Sequence, residues 1–237
     1  MSPALQALAA SPLPWLVLTL LAYVAAVRLY RRSGSNPLLI PVLTGTTLVV
    51  AVLLSTGTPY ETYRAGTEWL TLCIGPATVA LAVPLFAQRQ RIRALWRPLC
   101  VALLAGCTAA IASALLLAWA LGATRETLLS LAPKSATMPI ALPVVERLGG
   151  LPSLAAVGVA ITGIAGAVLA EPLLRLLRVQ DPAVRGFAAG LTAHAIGTAR
   201  ELQVHPTSGA FAALAMGLNG VATAVLTPVA IAALGWI

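Results

Sequence analysis

Long apolar stretches alternate with short charged clusters along the chain. Six stretches contain no Asp, Glu, Lys or Arg for about 20 residues or more, the length that a helix needs to cross the hydrocarbon core of a bilayer. They are rich in Ala and Leu and show no period-two alternation, which argues against membrane strands. The pattern predicts an all-α polytopic membrane protein with about six spanning helices, in residues 1–27, 33–60, 69–88, 98–124, 148–170 and 202–237.

Two further stretches are too short and too polar to be ordinary spans. Residues 133–149 and 186–200 each mix small, hydroxyl-bearing and ionisable side chains over about 15 residues. The first contains three prolines, which interrupt a continuous helix. Irregular backbone exists at membrane depth only where protein or a water-filled cavity covers it. We therefore predict two re-entrant or broken-helix segments in addition to the spans.

Composition and charge agree with a location in the lipid bilayer. The 237 residues are 59% hydrophobic and 9% charged, whereas a soluble domain has about 25% charged residues. Lys and Arg total 15 against 7 Asp and Glu, a net charge of +8. The basic residues cluster at the ends of apolar runs, as the positive-inside rule predicts. No basic stripe with interleaved aromatic residues occurs, so nucleic acid is not an expected partner.

The arginine clusters also predict an orientation for the segments. The cluster at 28–32 follows the first run, which places the N-terminus outside and these arginines in the cytoplasm. If segment 133–149 starts and ends outside, the next helix runs inward and the arginines at 175–185 are cytoplasmic. A complete crossing by that segment would leave them outside, against the rule.

An internal repeat links the two polar segments. Pro206 follows Pro152 by 54 residues, and each proline comes after a polar segment and opens a helix rich in small residues. A unit of one hairpin and one span crosses the membrane once, so two successive units would form an inverted repeat of the kind found in secondary transporters. The alternative is that alanine-rich helices align through composition alone, and the sequence leaves both interpretations open.

Polar side chains in the first segment are candidate ligands for a substrate anion. A charged residue at bilayer depth costs about 2.5–3.5 kcal/mol on insertion scales, so Lys134 is expected to face an interior cavity and bind a carboxylate. Ser135 and Thr137 follow it, and free backbone N–H groups at residues 135–137 would favour the same anion. The alternative is an interfacial lysine whose side chain extends to the lipid headgroups.

The second polar segment supplies the other half of the predicted site. His194 is a candidate hydrogen-bonding or proton-carrying residue, or else a structural histidine bonded to a backbone carbonyl. Gly197 and Thr198 follow it, and Arg200 is a candidate anion ligand or one half of an interfacial salt bridge. Asn219, in the last apolar run, is a further candidate ligand and also suits hydrogen bonding between helices.

Catalytic and metal-binding motifs are absent from the sequence. No HExxH, GxSxG, P-loop or GxGxxG pattern occurs. Two histidines and seven acidic residues offer few metal ligands, and the three cysteines form no CxxC pair. We therefore expect neither enzymatic activity nor a metal or other cofactor.

Three stretches resemble the LrgB/CidB family, also called YohK-type proteins. They read LAPKSATMPIALPVVE, RGFAAGLTAHAIGTARE and GAFAALAMGLNGVATAVLTP, at residues 131–146, 185–201 and 209–228. The resemblance covers nearly the whole chain, so residues 1–237 are expected to form a single LrgB-like domain, with several passes through a bacterial inner membrane.

The resemblance implies two kinds of function. Bacterial members are linked to the control of murein hydrolase activity and autolysis, are described as antiholin-like or holin-like, and pair with a small LrgA/CidA-type membrane protein. A plastid relative looks like a glycolate/glycerate carrier, and some bacterial relatives are implicated in pyruvate movement. Our hypothesis from the sequence is a homo-oligomeric carrier of such small monocarboxylates that works by alternating access. The alternative hypothesis is the antiholin-like regulator.

Overall fold

The computed structural model describes residues 11–235 and contains no strand within that range. This confirms the all-α prediction. Contacts divide the chain into two compact units, residues 1–82 and 83–237. The predicted runs 1–27 and 202–237 each extend beyond the described residues at one end.

Thirteen α-helices and the short 3₁₀ helix Pro37–Leu39 make up the described part of the chain. Those of the first unit and of the boundary at residue 82 are α1 Leu13–Arg32, α2 Pro41–Thr56, α3 Tyr60–Gly66, α4 Glu68–Leu72, α5 Ile74–Ala80 and α6 Ala82–Ala87. Those of the second unit are α7 Arg89–Ala94, α8 Trp96–Ala120, α9 Arg125–Leu131, α10 Met138–Leu148, α11 Pro152–Leu176, α12 Pro182–Val204 and α13 Pro206–Ala233.

Five helical stretches of the described chain are long and apolar enough to cross a bilayer. Four of them are the single helices α1, α8, α11 and α13, and the fifth is the run of short helices Glu68–Ala87. Helix α2 occupies the remaining predicted run but has 16 residues, fewer than the roughly 20 that a span normally needs. Each of the six predicted runs therefore contains a helical segment, and five have the length of a span.

The first unit is held together by helices α1, α2 and α3. Gly45 in α2 faces α1, and a Cβ atom at this position would make an ordinary van der Waals contact of 3.7 Å with the Cβ of Ala26. Helix α3 packs on α1 through an edge-to-face contact of Trp15 with Tyr63, whose ring centroids are 6.4 Å apart. The Tyr63 hydroxyl also forms a hydrogen bond of 3.0 Å with Thr19 Oγ1.

Helices α8 and α13 run in the same direction and frame the second unit. Leu99, near the start of α8, packs in one apolar cluster with Phe211, near the start of α13. Leu115, near the end of α8, belongs to another cluster with Ile231, near the end of α13. The start of α8 thus lies beside the start of α13, and the end of α8 beside the end of α13.

The segment between α8 and α11 forms a re-entrant hairpin, called the first hairpin, which consists of α9, the turn at 132–137, and α10. Leu128 in α9 and Leu148 in α10 pack in the same cluster as Ile231, at the C-terminal end of α13. The turn lies deeper, because the Ser135 carbonyl oxygen accepts a hydrogen bond of 2.9 Å from Asn219, near the middle of α13. Both arms thus return to one end of the bundle. The segment is re-entrant, but the hairpin begins at Arg125 rather than at residue 133, which lies in its turn.

The three prolines of the first hairpin do not all interrupt a helix, contrary to the expectation from the sequence. Pro133 lies in the turn, whereas Pro139 is in the first turn of α10, where backbone N–H groups need no intrahelical partner. Pro143 is tolerated inside α10. The break therefore lies on the N-terminal side of Met138.

Helix α12 is also a hairpin, called the second hairpin, because it reverses direction at His194, whose φ and ψ are 41° and −127°. Arg185 and Arg200 lie on opposite sides of this break and would be about 22 Å apart on a straight helix. Instead both contact Oε2 of Glu171, at 2.5 Å and 3.3 Å. The ends of this hairpin therefore meet, as predicted for residues 186–200.

The two hairpins enter the bundle from opposite ends. The base of the second hairpin lies at the N-terminal end of α13, where Ser208 donates a hydrogen bond to Glu201. Helix α11 connects the two bases: its first residues follow Leu151, whose N–H donates to Ser130 in the first hairpin, and its last turns carry Glu171. Each hairpin is thus followed by a long helix, and the two units point in opposite directions, as the inverted-repeat interpretation predicts.

Candidate functional site at the hairpin tips

The tip of the first hairpin presents a lysine and backbone N–H groups. The N–H groups of Lys134 and Ala136 donate to the carbonyl oxygens of Leu131 and Pro133, so these two are not free, contrary to the expectation for residue 136. Three other N–H groups of the tip have no acceptor in the described chain, those of Ser135, Thr137 and Met138. The half-buried Lys134 side chain has no ion-pair partner within residues 11–235. The tip therefore offers hydrogen-bond donors and one positive charge.

His194 forms the tip of the second hairpin and is buried against α11. Its Nε2 lies 3.0 Å from the Val159 carbonyl oxygen. Because a carbonyl oxygen only accepts, Nε2 carries the hydrogen, and in the neutral imidazole Nδ1 is then an acceptor. Within the described residues Nδ1 is buried and has no hydrogen-bond partner. The ring fits against α11 only because residue 163 is glycine, since a Cβ atom there would overlap the imidazole.

Asn219 joins the two hairpins. Its Nδ2 donates 2.9 Å to the Ser135 carbonyl oxygen in the first hairpin and 3.3 Å to the Leu191 carbonyl oxygen in the second. The side chain is 1% exposed, and Oδ1 has no hydrogen-bond partner in the described part of the chain. A buried acceptor without a partner is uncommon in proteins, because leaving it unpaired costs about 1–3 kcal/mol. The structure thus brings Ser135, His194 and Asn219 to one region in the interior of the second unit.

Gly197 and Thr198 shape the second hairpin. A Cβ atom at Gly197 would lie 2.6 Å from the Ala189 carbonyl oxygen, so glycine allows the two arms to approach each other. The Thr198 hydroxyl donates within the protein, to the carbonyl oxygens of His194 at 2.8 Å and Ala212 at 3.3 Å. These two predicted site residues therefore position His194, and the hydroxyl hydrogen of Thr198 is already used.

Arg200 lies at the base of the second hairpin and apart from the tips. It follows His194 by six residues, about 9 Å along a helix. Its guanidinium contacts Glu201 at 2.7 Å and Glu171 at 3.3 Å, and the residue is 7% exposed. The salt-bridge interpretation of Arg200 agrees with this geometry, but the bridge is buried rather than at an exposed interface.

The sequence does not predict that Glu171 binds both Arg185 and Arg200. It also does not predict the backbone carbonyl oxygens that bind His194 and Asn219. Glu171 is an acidic residue at the end of an apolar run, a weak signal that an interfacial position explains equally well. The carbonyl oxygens of Val159 and Leu191 have no sequence signal, because every residue carries one. No group of three or more His, Cys, Asp or Glu side chains that could hold a metal ion occurs in the described chain.

Comparison with known proteins decides the family. The model of the LrgB-like family matches residues 19–233 of the chain. The chain belongs to the LrgB-like family. This match includes both hairpins and α13, and it confirms the resemblance seen in the sequence. LrgB-like relatives from bacteria and the five span-length stretches together identify a multi-pass bacterial membrane protein.

Bacterial relatives cover between 77% and 91% of this LrgB-like chain. The protein YxaC of Bacillus subtilis is 37% identical over 91% of the chain and 94% of its own length. A protein of Haemophilus influenzae is 35% identical over 77% of the chain and 80% of its own length. The antiholin-like protein LrgB of Bacillus mycoides is 28% identical over 90% and 93%. No solved structure matches the chain.

Proposed function

We propose that this LrgB-like protein is an antiholin-like regulator of murein hydrolase activity and autolysis. The observation that carries the proposal is the near-complete alignment with proteins named antiholin-like protein LrgB, over 90% of this chain and 93% of theirs. The names of the relatives favour this function over the carrier hypothesis that came first from the sequence. The protein would act in the bilayer, as a homo-oligomer and with a small LrgA/CidA-type membrane partner, and without nucleic acid.

A lysis assay tests this function. The chain is expressed, alone and together with an LrgA-type partner, in a bacterium that lacks its own LrgB-type protein. Detergent-induced loss of turbidity and zymograms of secreted murein hydrolases are then compared with an empty-vector strain. We expect slower lysis and weaker hydrolase bands, more so with the partner. Equal lysis curves, with the protein detected in the membrane, would contradict the proposal.

We also propose passage of small organic anions as a second function, because one observation favours it. Opposed hairpins whose tips reach the interior of a bundle suit a substrate site near the midplane. Lys134 and the free N–H groups of the first tip would bind the carboxylate, whereas the buried acceptors His194 Nδ1 and Asn219 Oδ1 would accept hydrogen bonds from the ligand. Carriage of glycolate, glycerate or pyruvate by alternating access rests on this arrangement.

Uptake into proteoliposomes tests the second function. Lys134→Ala removes the charge, and His194→Ala removes the buried ring. Each is expected to reduce uptake of glycolate, glycerate or pyruvate roughly ten- to a hundredfold, the equivalent of one hydrogen bond to a charged group at about 1.5–3 kcal/mol. Arg147→Ala is the control, because Arg147 is an exposed cation at the base of the first hairpin. If both tip variants retain full uptake, the site is wrong.

A further inference from the structure

Five charged side chains hold the base of the second hairpin together. Glu171 Oε2 forms ion pairs with Arg185 of the first arm, at 2.5 Å, and with Arg200 of the second arm, at 3.3 Å. Arg175 binds the other carboxylate oxygen, Oε1, at 2.8 Å. Arg200 also contacts Glu201, at 2.7 Å. One carboxylate on α11 therefore joins both arms of the hairpin.

The cluster extends to the helix that follows the hairpin. Ser208, near the start of α13, donates a hydrogen bond of 2.5 Å to Glu201 Oε2. Glu201 thereby connects the second arm to α13, while Glu171 connects α11 to both arms. Separation of the arms at the base would break contacts on both sides of the hairpin at once.

Burial differs strongly within the cluster. The side chains of Arg200 and Glu201 are 6% and 4% exposed, and those of Arg185 and Glu171 are 19% and 16% exposed. The side chain of Arg175 is 77% exposed, so its contact with the same carboxylate is a surface ion pair of small effect. The buried contacts carry the cohesion of the base, and Arg175 provides a matched comparison within the same cluster.

A buried ionic contact is suited to reversible opening. The loss of hydration on burial offsets much of the attraction between the charges, so a buried pair holds little more strongly than apolar packing and regains hydration when it separates. An apolar contact has no such compensation, because its separation exposes apolar surface to water. A hairpin base held by ionic contacts can therefore separate at a smaller cost in free energy than one held by apolar packing, which suits a two-state element.

The tip of the second hairpin is anchored independently of its base. His194 is hydrogen-bonded to the Val159 carbonyl oxygen of α11, and the Leu191 carbonyl oxygen to Asn219 of α13. The backbone at His194 is already non-helical, so a change of angle between the arms requires no further break. At the base, by contrast, Glu171 joins the two arms through ion pairs.

We infer that the Glu171 cluster is an ionic latch, which holds the arms of the second hairpin together on α11 and opens by separating them at the base. Glu171 is the central residue of the latch, and Arg185 and Arg200 are its two holding points. The inference does not depend on which of the two proposed functions is correct, because it concerns a movement of the hairpin and no ligand.

Distance measurement between two spin labels tests the latch. Labels are attached at Val184→Cys in the first arm and Gln203→Cys in the second, both exposed positions, in full-length protein whose three native cysteines have been replaced. The protein is reconstituted in lipid nanodiscs, and pulsed electron paramagnetic resonance gives the distance distribution. Glu171→Gln, which keeps the side-chain shape, is expected to add a population at longer distance.

Arg175→Gln is the matched control, because it removes an exposed partner of the same carboxylate and is expected to leave the parent distribution unchanged. Arg200→Gln is expected to behave as Glu171→Gln does. If the Gln variants do not yield monodisperse protein, Glu171→Asp, which shortens the carboxylate side chain and keeps its charge, is expected to broaden the distribution. Distributions that superimpose on the parent in the best-folded latch variant would overturn the inference, as would equal broadening in Arg175→Gln.

Discussion

Single residues determine how closely the second hairpin approaches its neighbours. A Cβ atom at Gly190 would overlap the Ala212 carbonyl oxygen, and one at Gly186 would overlap that of Ser208, so the first arm touches the α13 backbone directly. Gly163 in α11 provides the space for the His194 ring in the same way. At His194 itself the positive φ is a conformation that few residues other than glycine adopt, so the ring is held there at the expense of backbone strain.

Replacement of Gly190 by Ala tests this close approach. The added methyl group would meet backbone rather than a movable side chain, so we expect destabilisation by about 1–3 kcal/mol. Gly217→Ala is the control, because a Cβ atom at this exposed position of α13 meets no atom of the described residues within 4 Å. A stabilisation of about 0.5–1 kcal/mol is expected there, from the better helix propensity of alanine. Thermal unfolding of the two variants in the same detergent measures both effects, and equal melting temperatures would contradict the packing.

At the scale of elements, each hairpin has both of its ends at one end of the bundle. The first hairpin is closed at its base by apolar packing around Leu128 and Leu148, and the second by the ion pairs around Glu171. Asn219 hydrogen-bonds to both hairpins from the middle of α13. The elements that carry the candidate site are therefore held by different interactions, apolar at the base of the first hairpin and ionic at the base of the second.

Labelling of single cysteines with an impermeant maleimide tests the two hairpins. Cysteines at Glu126 and Arg147, in the two arms of the first hairpin, are expected to react when the reagent is added to spheroplasts. Cysteines at Gln180 and Gln203, beside the ends of the second hairpin, are expected to react only after the membrane is opened. All four positions are exposed. Reaction of 126 and 147 from opposite sides would mean that the first segment crosses the membrane and is not re-entrant.

At the scale of the whole molecule, one ion pair connects two charged regions of the second unit, and the family match covers nearly all of the chain. Arg91 binds Asp181 through two contacts of 2.9 Å and 2.7 Å, which joins the arginine cluster before α8 to the start of the second hairpin. The arginines at 175–185 are predicted to be cytoplasmic, and this contact indicates that Arg91 lies on the same side. The family match over residues 19–233 extends across both units. The lysis and uptake assays examine this complete chain and distinguish the regulator from the carrier.

The sequence by itself determined the class of protein, the placement of the apolar runs, the family and the two segments that are not ordinary spans. These depend on local properties: about 20 apolar residues specify a span, and an unusual mixture of Pro, Gly and ionisable residues marks a break. Lys134, His194 and Asn219 were found in this way, because polar groups are exceptional in such a chain. The site functions suggested for them, and the monocarboxylate ligands, stay predictions.

Only the tertiary structure decided which of these groups lie together. Helix α12 folds back on itself, and Arg200 lies with Glu171 at the base rather than at a tip. Asn219 connects Ser135 to Leu191 through two hydrogen bonds. It also made Thr198 an internal hydrogen-bond donor. These outcomes depend on contacts between residues far apart in the chain and on backbone oxygens that every residue carries. Local pattern determines that a helix breaks, but packing against neighbouring helices determines where its arms then lie.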